Sequence, residues 1–291
     1  MKTKILFSAL LTVGLYAYAD NIQELCRGFV PENNLWISVD DKNAGGITEA
    51  QFNQVIDKAE NLYKDYFQSK GATLVVERKW TDGTVNAYAR RSGTQWIVSM
   101  FGGLARHQTI SQDGFAVVIC HEIGHHVGGA PKYKTWMGTP DWASNEGQSD
   151  YFASVKCLRK YFADEDNVAA LEGIEIDPLV LERCNSEHVG VQERATCARI
   201  SLATQTVANL FQALRNETKA PAFNTPDPKV VTATSDSHPG TQCRMDTYFN
   251  GAVCGADHNV EVSQTDYKTG TCYEAGTLGT RPLCWFKPTA K

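Results

Sequence analysis

The stretch His121-Glu122-Ile123-Gly124-His125 decides how the rest of the chain is read. On a helix, residues four apart lie about 40° apart around the axis, so His121 and His125 share a face. Two neutral imidazoles held that way can bind one zinc ion, and Glu122, one step round, can reach a water beside it. The flanks suit a helix. Asp113 stands as an N-cap, Phe115 to Ile119 supply a buried run, and Gly128, Gly129 and Pro131 end it. Five-residue patterns of this kind also recur in helices that bind no metal, so the assignment turns on its surroundings.

A zinc hydrolase needs a third protein ligand and keeps its fourth position open. Glu146 is the candidate, twenty-one residues after His125, far enough for a turn and a second helix packed antiparallel to the first. Asp150 falls one turn further on the same face, where it could accept the other N–H of a ligand histidine and raise that ligand's basicity. A solvated acidic first turn would look similar, because the helix dipole favours it. Asn145, Gly147 and Ser149 are poor helix formers, however, so propensity does not account for the run.

Asn145-Glu146-Gly147-Gln148-Ser149-Asp150 after this histidine motif resembles the gluzincin pattern, and within it the CAAX-prenyl-protease type of zinc metallopeptidase. Three further stretches carry that resemblance. Val85-Asn86-Ala87-Tyr88-Ala89 is similar to a family strand, and Ile97 to Leu104 to the strand before the zinc helix. Ser237-His238-Pro239, with Arg244 six residues past the histidine, is similar to the family's His-Pro-x-x-x-x-Arg motif. The likeness runs from about residue 50 to about 250, with its motifs in order. It implies a zincin-like α+β fold: a helical core holding the two ligand helices against a small, mostly antiparallel sheet. It also implies one Zn2+ per chain and peptide hydrolysis. The prenyl-protease branch is polytopic in membranes, whereas nothing after the N-terminus here could span a bilayer.

Residues 1–19 read as a secretory signal: Lys2 and Lys4, an apolar core from Ile5 to Tyr16, and a small-x-small site at Ala17-Tyr18-Ala19. The apolar run is short of the ~20 residues a membrane span needs, so a secreted or periplasmic chain starting at Asp20 is expected. Without Lys2 and Lys4 the chain has 26 basic against 33 acidic residues, a net charge of −7. That balance argues against nucleic acid and anionic membrane as partners; a peptide or protein substrate is what the family resemblance implies. Nine cysteines suit an oxidising compartment. Cys120, inside the apolar half of the zinc helix, reads as a buried unpaired thiol. Cys26, Cys157, Cys184, Cys197, Cys243, Cys254, Cys272 and Cys284 would form four disulfides, whose connectivity spacing alone does not choose.

Thr48 to Gln51 is a capping box opening a helix, with Phe52, Val55, Ile56, Ala59, Leu62, Tyr63 and Tyr66 at helical spacing and Gly71 as the stop. Residues 73–80, 84–90 and 94–100 read as strands. If the third lies at the sheet edge above the zinc, Ser99, Met100, Phe101 and Gly102 would offer free backbone groups to an extended peptide; otherwise it is an ordinary buried strand. Asp177-Pro178 opens a short helix, and a longer one covers 192–214. His107, His126, His188 and His258 lack ligand-like spacing and read as surface or packing residues. One domain over 20–242 is expected, with 243–291 as its cysteine-rich, disulfide-stapled extension.

The chemistry that follows places His121, His125 and Glu146 on zinc, with Glu122 taking a proton from the attacking water and passing it to the leaving amine. A fourth ligand would close the site, so His238 is expected beside the metal; the resemblance implies that it donates a hydrogen bond to the oxyanion, with Arg244 bracing His238 or Asp150. Two rivals stand: a zinc hydrolase of another amide or ester, and a catalytically idle binding module, for which an intact Glu122 would be superfluous.

Overall fold

The computed structural model describes residues 28–42 and 44–289. The expected signal peptide, the start at Asp20 and Cys26 lie outside the described residues. Helix α1, Glu49–Ser69, opens with the expected capping box, Thr48 accepting from the Gln51 N–H. It buries Phe52, Val55, Ile56, Ala59, Tyr63 and Phe67 along one face. Gly71, at φ +71°, ends it, a left-handed conformation that glycine adopts without steric cost. Helix α2, Gln112–Val127, is buried at every position from Gly114 onward. A helix apolar around most of its circumference belongs at the centre of a molecule, and α1, the sheet and the later helices pack around it. Its N-cap is Ser111, not Asp113: the Ser111 side chain accepts from the Gly114 N–H. Asp113 instead sits in the first turn and takes Arg199 at 2.7 Å.

Strands β1 (Thr73–Lys79), β2 (Ala87–Ser92) and β3 (Gln95–Phe101) form one sheet in the order β1-β3-β2. The β1–β3 pair is parallel and the β2–β3 pair antiparallel. The third strand is therefore central, correcting the reading that could have put it at the edge. A second pair, β4 (Lys132–Lys134) with β5 (Pro140–Ser144), is an antiparallel hairpin between α2 and the helix that opens at Glu146. Helix α3, Glu146–Phe152, is capped by Asn145 and runs on through a wider, π-helical turn, Ala153–Leu158, to Arg159–Tyr161. Helices α4 (Pro178–Glu187), α5 (Val191–Leu214) and α6 (Thr241–Val253) complete the α+β molecule. Helix α6 runs across the expected boundary at residue 243.

Four disulfides join Cys120–Cys157, Cys184–Cys197, Cys243–Cys284 and Cys254–Cys272. Cys120 is thus not a free thiol. It faces the π-helical turn after α3, and helix–helix packing brings its partner within a Cα–Cα distance of 5.6 Å. No helix among the described residues is long and apolar enough to cross a membrane.

Candidate metal centre

His121 and His125 project from one face of α2, and Glu146 is the first residue of α3, where its carboxylate also meets the positive end of the helix dipole. One ligand atom from each of the three lies within 4.8 Å of the others. His121 Nε2 is 3.3 Å from Glu146 Oε2, and His125 Nε2 is 3.7 Å from Glu146 Oε1. Tetrahedral ligands about 2.0–2.1 Å from zinc stand about 3.3–3.5 Å from one another, so the set fits such an ion with little movement. The outward-facing nitrogens are already spoken for. His121 Nδ1 lies 2.7 Å from Asp150 Oδ1, and His125 Nδ1 donates to the Ser144 carbonyl at 2.8 Å. Those contacts hold each Nδ1 as the protonated nitrogen and turn an Nε2 lone pair toward the common point, the tautomer a metal requires.

What remains unmet is informative. His121 Nε2, His125 Nε2, Glu146 Oε2 and both oxygens of Glu122 are buried and have no hydrogen-bond partner. Leaving buried polar atoms unpaired costs about 1–3 kcal/mol each, and three of these five belong to the residues whose ligand atoms converge. A cation with an open coordination position would satisfy the first three and place a polar molecule against Glu122.

Asp150 is the hub beneath the ligands. Arg244, from the first turn of α6, grips it with Nε at 2.8 Å and Nη2 at 2.7 Å, and Tyr248 adds its hydroxyl. Arg244 therefore braces Asp150 and not His238. The guanidinium is itself wholly buried, its face 4.0 Å from the Phe211 ring centroid. Burial alone would raise the Asp150 carboxyl, but Arg244 and His121 outweigh it and hold it below its ordinary value. For His121, burial works to lower the pKa, yet Asp150 and Glu146 raise it to about 9. Burial lowers His125 to about 4 and raises Glu122 to about 8. Glu146, despite burial, is held well below the usual carboxylate range by His238, His125 and His121.

His238, just ahead of α6, brings Nε2 to 3.3 Å from Glu146 Oε2 and donates to the Gly28 carbonyl at 2.8 Å. It stands beside the ligand set as a donor. The strand residues expected to receive substrate are placed elsewhere. Ser99 is paired on both sides, with Glu77 of β1 and Tyr88 of β2, and its hydroxyl donates to Glu77 at 2.6 Å. Met100 and Phe101 are buried, and a side chain at Gly102 would collide with the Trp80 carbonyl at 1.8 Å. An inner strand has no backbone groups left to offer; the edge strands of this sheet are β1 and β2. His126, read as a packing residue, is buried and stacked between Trp96 and Trp142.

Tyr133 went unread in the sequence. Its hydroxyl, reaching in from β4, donates to Glu146 Oε1 at 2.6 Å. The alternation Lys132-Tyr133-Lys134 gives away the inward direction of that ring, but not its target. Compared with family models, curated proteins and solved structures, the chain matches none.

Proposed function

We propose that this chain is a secreted or periplasmic zinc-dependent endopeptidase of gluzincin type, with a zincin-like fold. The observation that carries the reading is the convergence of His121, His125 and Glu146 within 4.8 Å, with His121 Nε2, His125 Nε2, Glu146 Oε2 and both oxygens of Glu122 buried and unpaired. A zinc ion there would act as Lewis acid toward the scissile carbonyl and acidify the attacking water. Glu122 takes that water's proton and delivers it to the leaving amine; burial by itself raises its carboxyl, and a cation beside it would favour the carboxylate that must accept the proton. His238 donates from Nε2 to the carbonyl oxygen as it becomes an oxyanion. Asp150, fixed by Arg244 and Tyr248, keeps His121 aimed.

The test joins metal analysis to turnover. Purified protein should carry one zinc per chain and cleave members of a peptide library, with chelation abolishing cleavage. Glu122→Gln should keep both zinc and fold while kcat falls by orders of magnitude. Zinc without any cleavage would favour a binding module, and a Glu122→Gln protein of near-full activity would remove Glu122 from the mechanism.

A further inference from the structure

His121, Glu122, His125 and Glu146 are each 0% exposed, so a peptide has no route to Glu122 in this conformation. The layer lying on His121 is the chain's own segment Gly28-Phe29-Val30. The Phe29 ring meets the His121 imidazole edge-on, centroids 5.0 Å apart, and packs against Phe211 at 5.4 Å.

The way this segment is held differs from ordinary core packing. Every backbone polar group from the Gly28 carbonyl to the Val30 carbonyl has a partner. The Gly28 carbonyl accepts from His238 Nε2 at 2.8 Å, the donor assigned to the oxyanion. The Phe29 N–H donates to the Ala87 carbonyl of β2 at 2.9 Å, and the Phe29 carbonyl accepts from Arg244 Nη1 at 2.6 Å. Val30 exchanges two bonds with the Asn86 side chain, both 3.1 Å. Further along, Asn33 Nδ2 reaches the Val85 carbonyl and the Ile37 N–H the Gly83 carbonyl, so the segment runs antiparallel to residues 83–87. Residues 29 and 30 form a bend, and the segment meets Thr84 in an isolated antiparallel bridge at Trp36; it is held as a bound peptide is, by main-chain bonds with one side chain in a pocket. Gly28, at φ +76°, lies so close that a Cβ would stand 2.7 Å from the Asn86 amide.

We infer that Gly28-Phe29-Val30 is an internal peptide ligand occupying the groove beside residues 83–87, where the chain enters β2, and that it keeps the candidate metal centre closed until displaced. The groove then takes a peptide with a large apolar side chain in the Phe29 pocket and, before it, a residue without a side chain that can turn as Gly28 does. This rests on the peptidase reading for the identity of the displacing ligand, though not for the groove itself.

The experiment places a recognition sequence for a site-specific protease in the exposed turn at residues 39–42 of the full chain, in the Glu122→Gln background. The probe is a fluorescein-labelled peptide of sequence 27–31, followed by anisotropy. A cis segment acts at an effective concentration of millimolar order. The uncut chain should therefore bind the probe at least about 100-fold more weakly than the cut chain freed of its N-terminal fragment, as checked by mass. Gly28→Ala in the uncut chain should also gain probe binding, because its methyl group meets Asn86, and the probe with Phe replaced by Ala should lose it. Equal binding before and after the cut, a fragment that excess probe cannot displace, or loss of the near-UV circular dichroism on release would each overturn the inference. With Glu122 restored, tighter probe binding without hydrolysis would keep the groove and sink the peptidase reading. Full hydrolysis of substrates by the intact chain would do the reverse.

Discussion

His121 is pulled two ways, and the balance sets how the site takes up metal. Burial works against its proton, while Asp150 and Glu146 hold that proton on up to about 9. A zinc ion bound as proposed would have to displace it, so its apparent affinity would be depressed wherever His121 is protonated. Between about pH 7 and 9 it should climb about tenfold per unit, releasing at least one proton per ion. His125, lowered to about 4 by burial, adds no dependence in that window. Titration calorimetry in buffers of different ionisation enthalpy reads the proton directly, and an affinity flat from pH 7 to 9 would contradict this picture. His238 is tested separately. His238→Ala should retain zinc stoichiometry while kcat falls about 100- to 1000-fold, the usual loss for one oxyanion donor, with KM little changed. Loss of metal in that variant would make His238 a ligand.

At the scale of elements, the two ligand helices are tied by more than packing. Cys120 on α2 and Cys157 in the π-helical turn after α3 close a loop, 37 residues apart in sequence, containing His121, Glu122, His125, Glu146 and Asp150. Chain entropy puts the stabilisation from such a loop at about 3–4 kcal/mol. Replacing both cysteines with alanine should lower unfolding stability by up to that amount and weaken zinc binding. Peptide mapping of the unreduced protein should recover Cys120 and Cys157 on one linked fragment; alkylated Cys120 would refute the pairing. The sheet carries a different lesson. Ile97-Val98-Ser99-Met100-Phe101 is a nearly unbroken apolar run, the mark of a strand covered on both faces. That signal is compatible with an inner strand, but in the sequence edge and buried positions stand equally open, and the pairing order decides for the centre. The parallel β1–β3 pairing depends on a crossover of the chain between them and has no local signature.

Seen whole, the molecule holds its candidate metal centre from behind. Trp285, fully buried, lies against Gly147, where a Cβ would stand 2.2 Å from the indole. Its Nε1 donates to Thr247 of α6 at 2.9 Å, and Arg281 donates to Gln148 at 2.7 Å. The C-terminal coil, fastened by Cys243–Cys284, thus fixes the first turn of α3 on which Glu146 sits. Trp285→Ala should cost about 3–5 kcal/mol in unfolding stability, as large aromatic truncations in cores do, and should weaken zinc binding although residue 285 touches no ligand. Unchanged stability by denaturant titration would show that the tail is a bystander. Gly147 sits inside the glutamate motif, yet its reason for being glycine lies 138 positions away in the sequence.

The sequence by itself determined what is local. Two histidines four apart on an apolar helix, a carboxylate opening the next helix and an aspartate one turn beyond were legible, because helical periodicity converts spacing into a shared face. Helices α1, α4 and α5 were legible through their caps and apolar stripes. Only the tertiary structure decided which cysteine meets Cys120, that Arg244 grips Asp150 and not His238, that Tyr133 reaches Glu146, and that Gly28-Phe29-Val30 lies over His121. Each of these joins side chains from different elements. Such contacts depend on how helices and strands pack, which no spacing along the chain encodes.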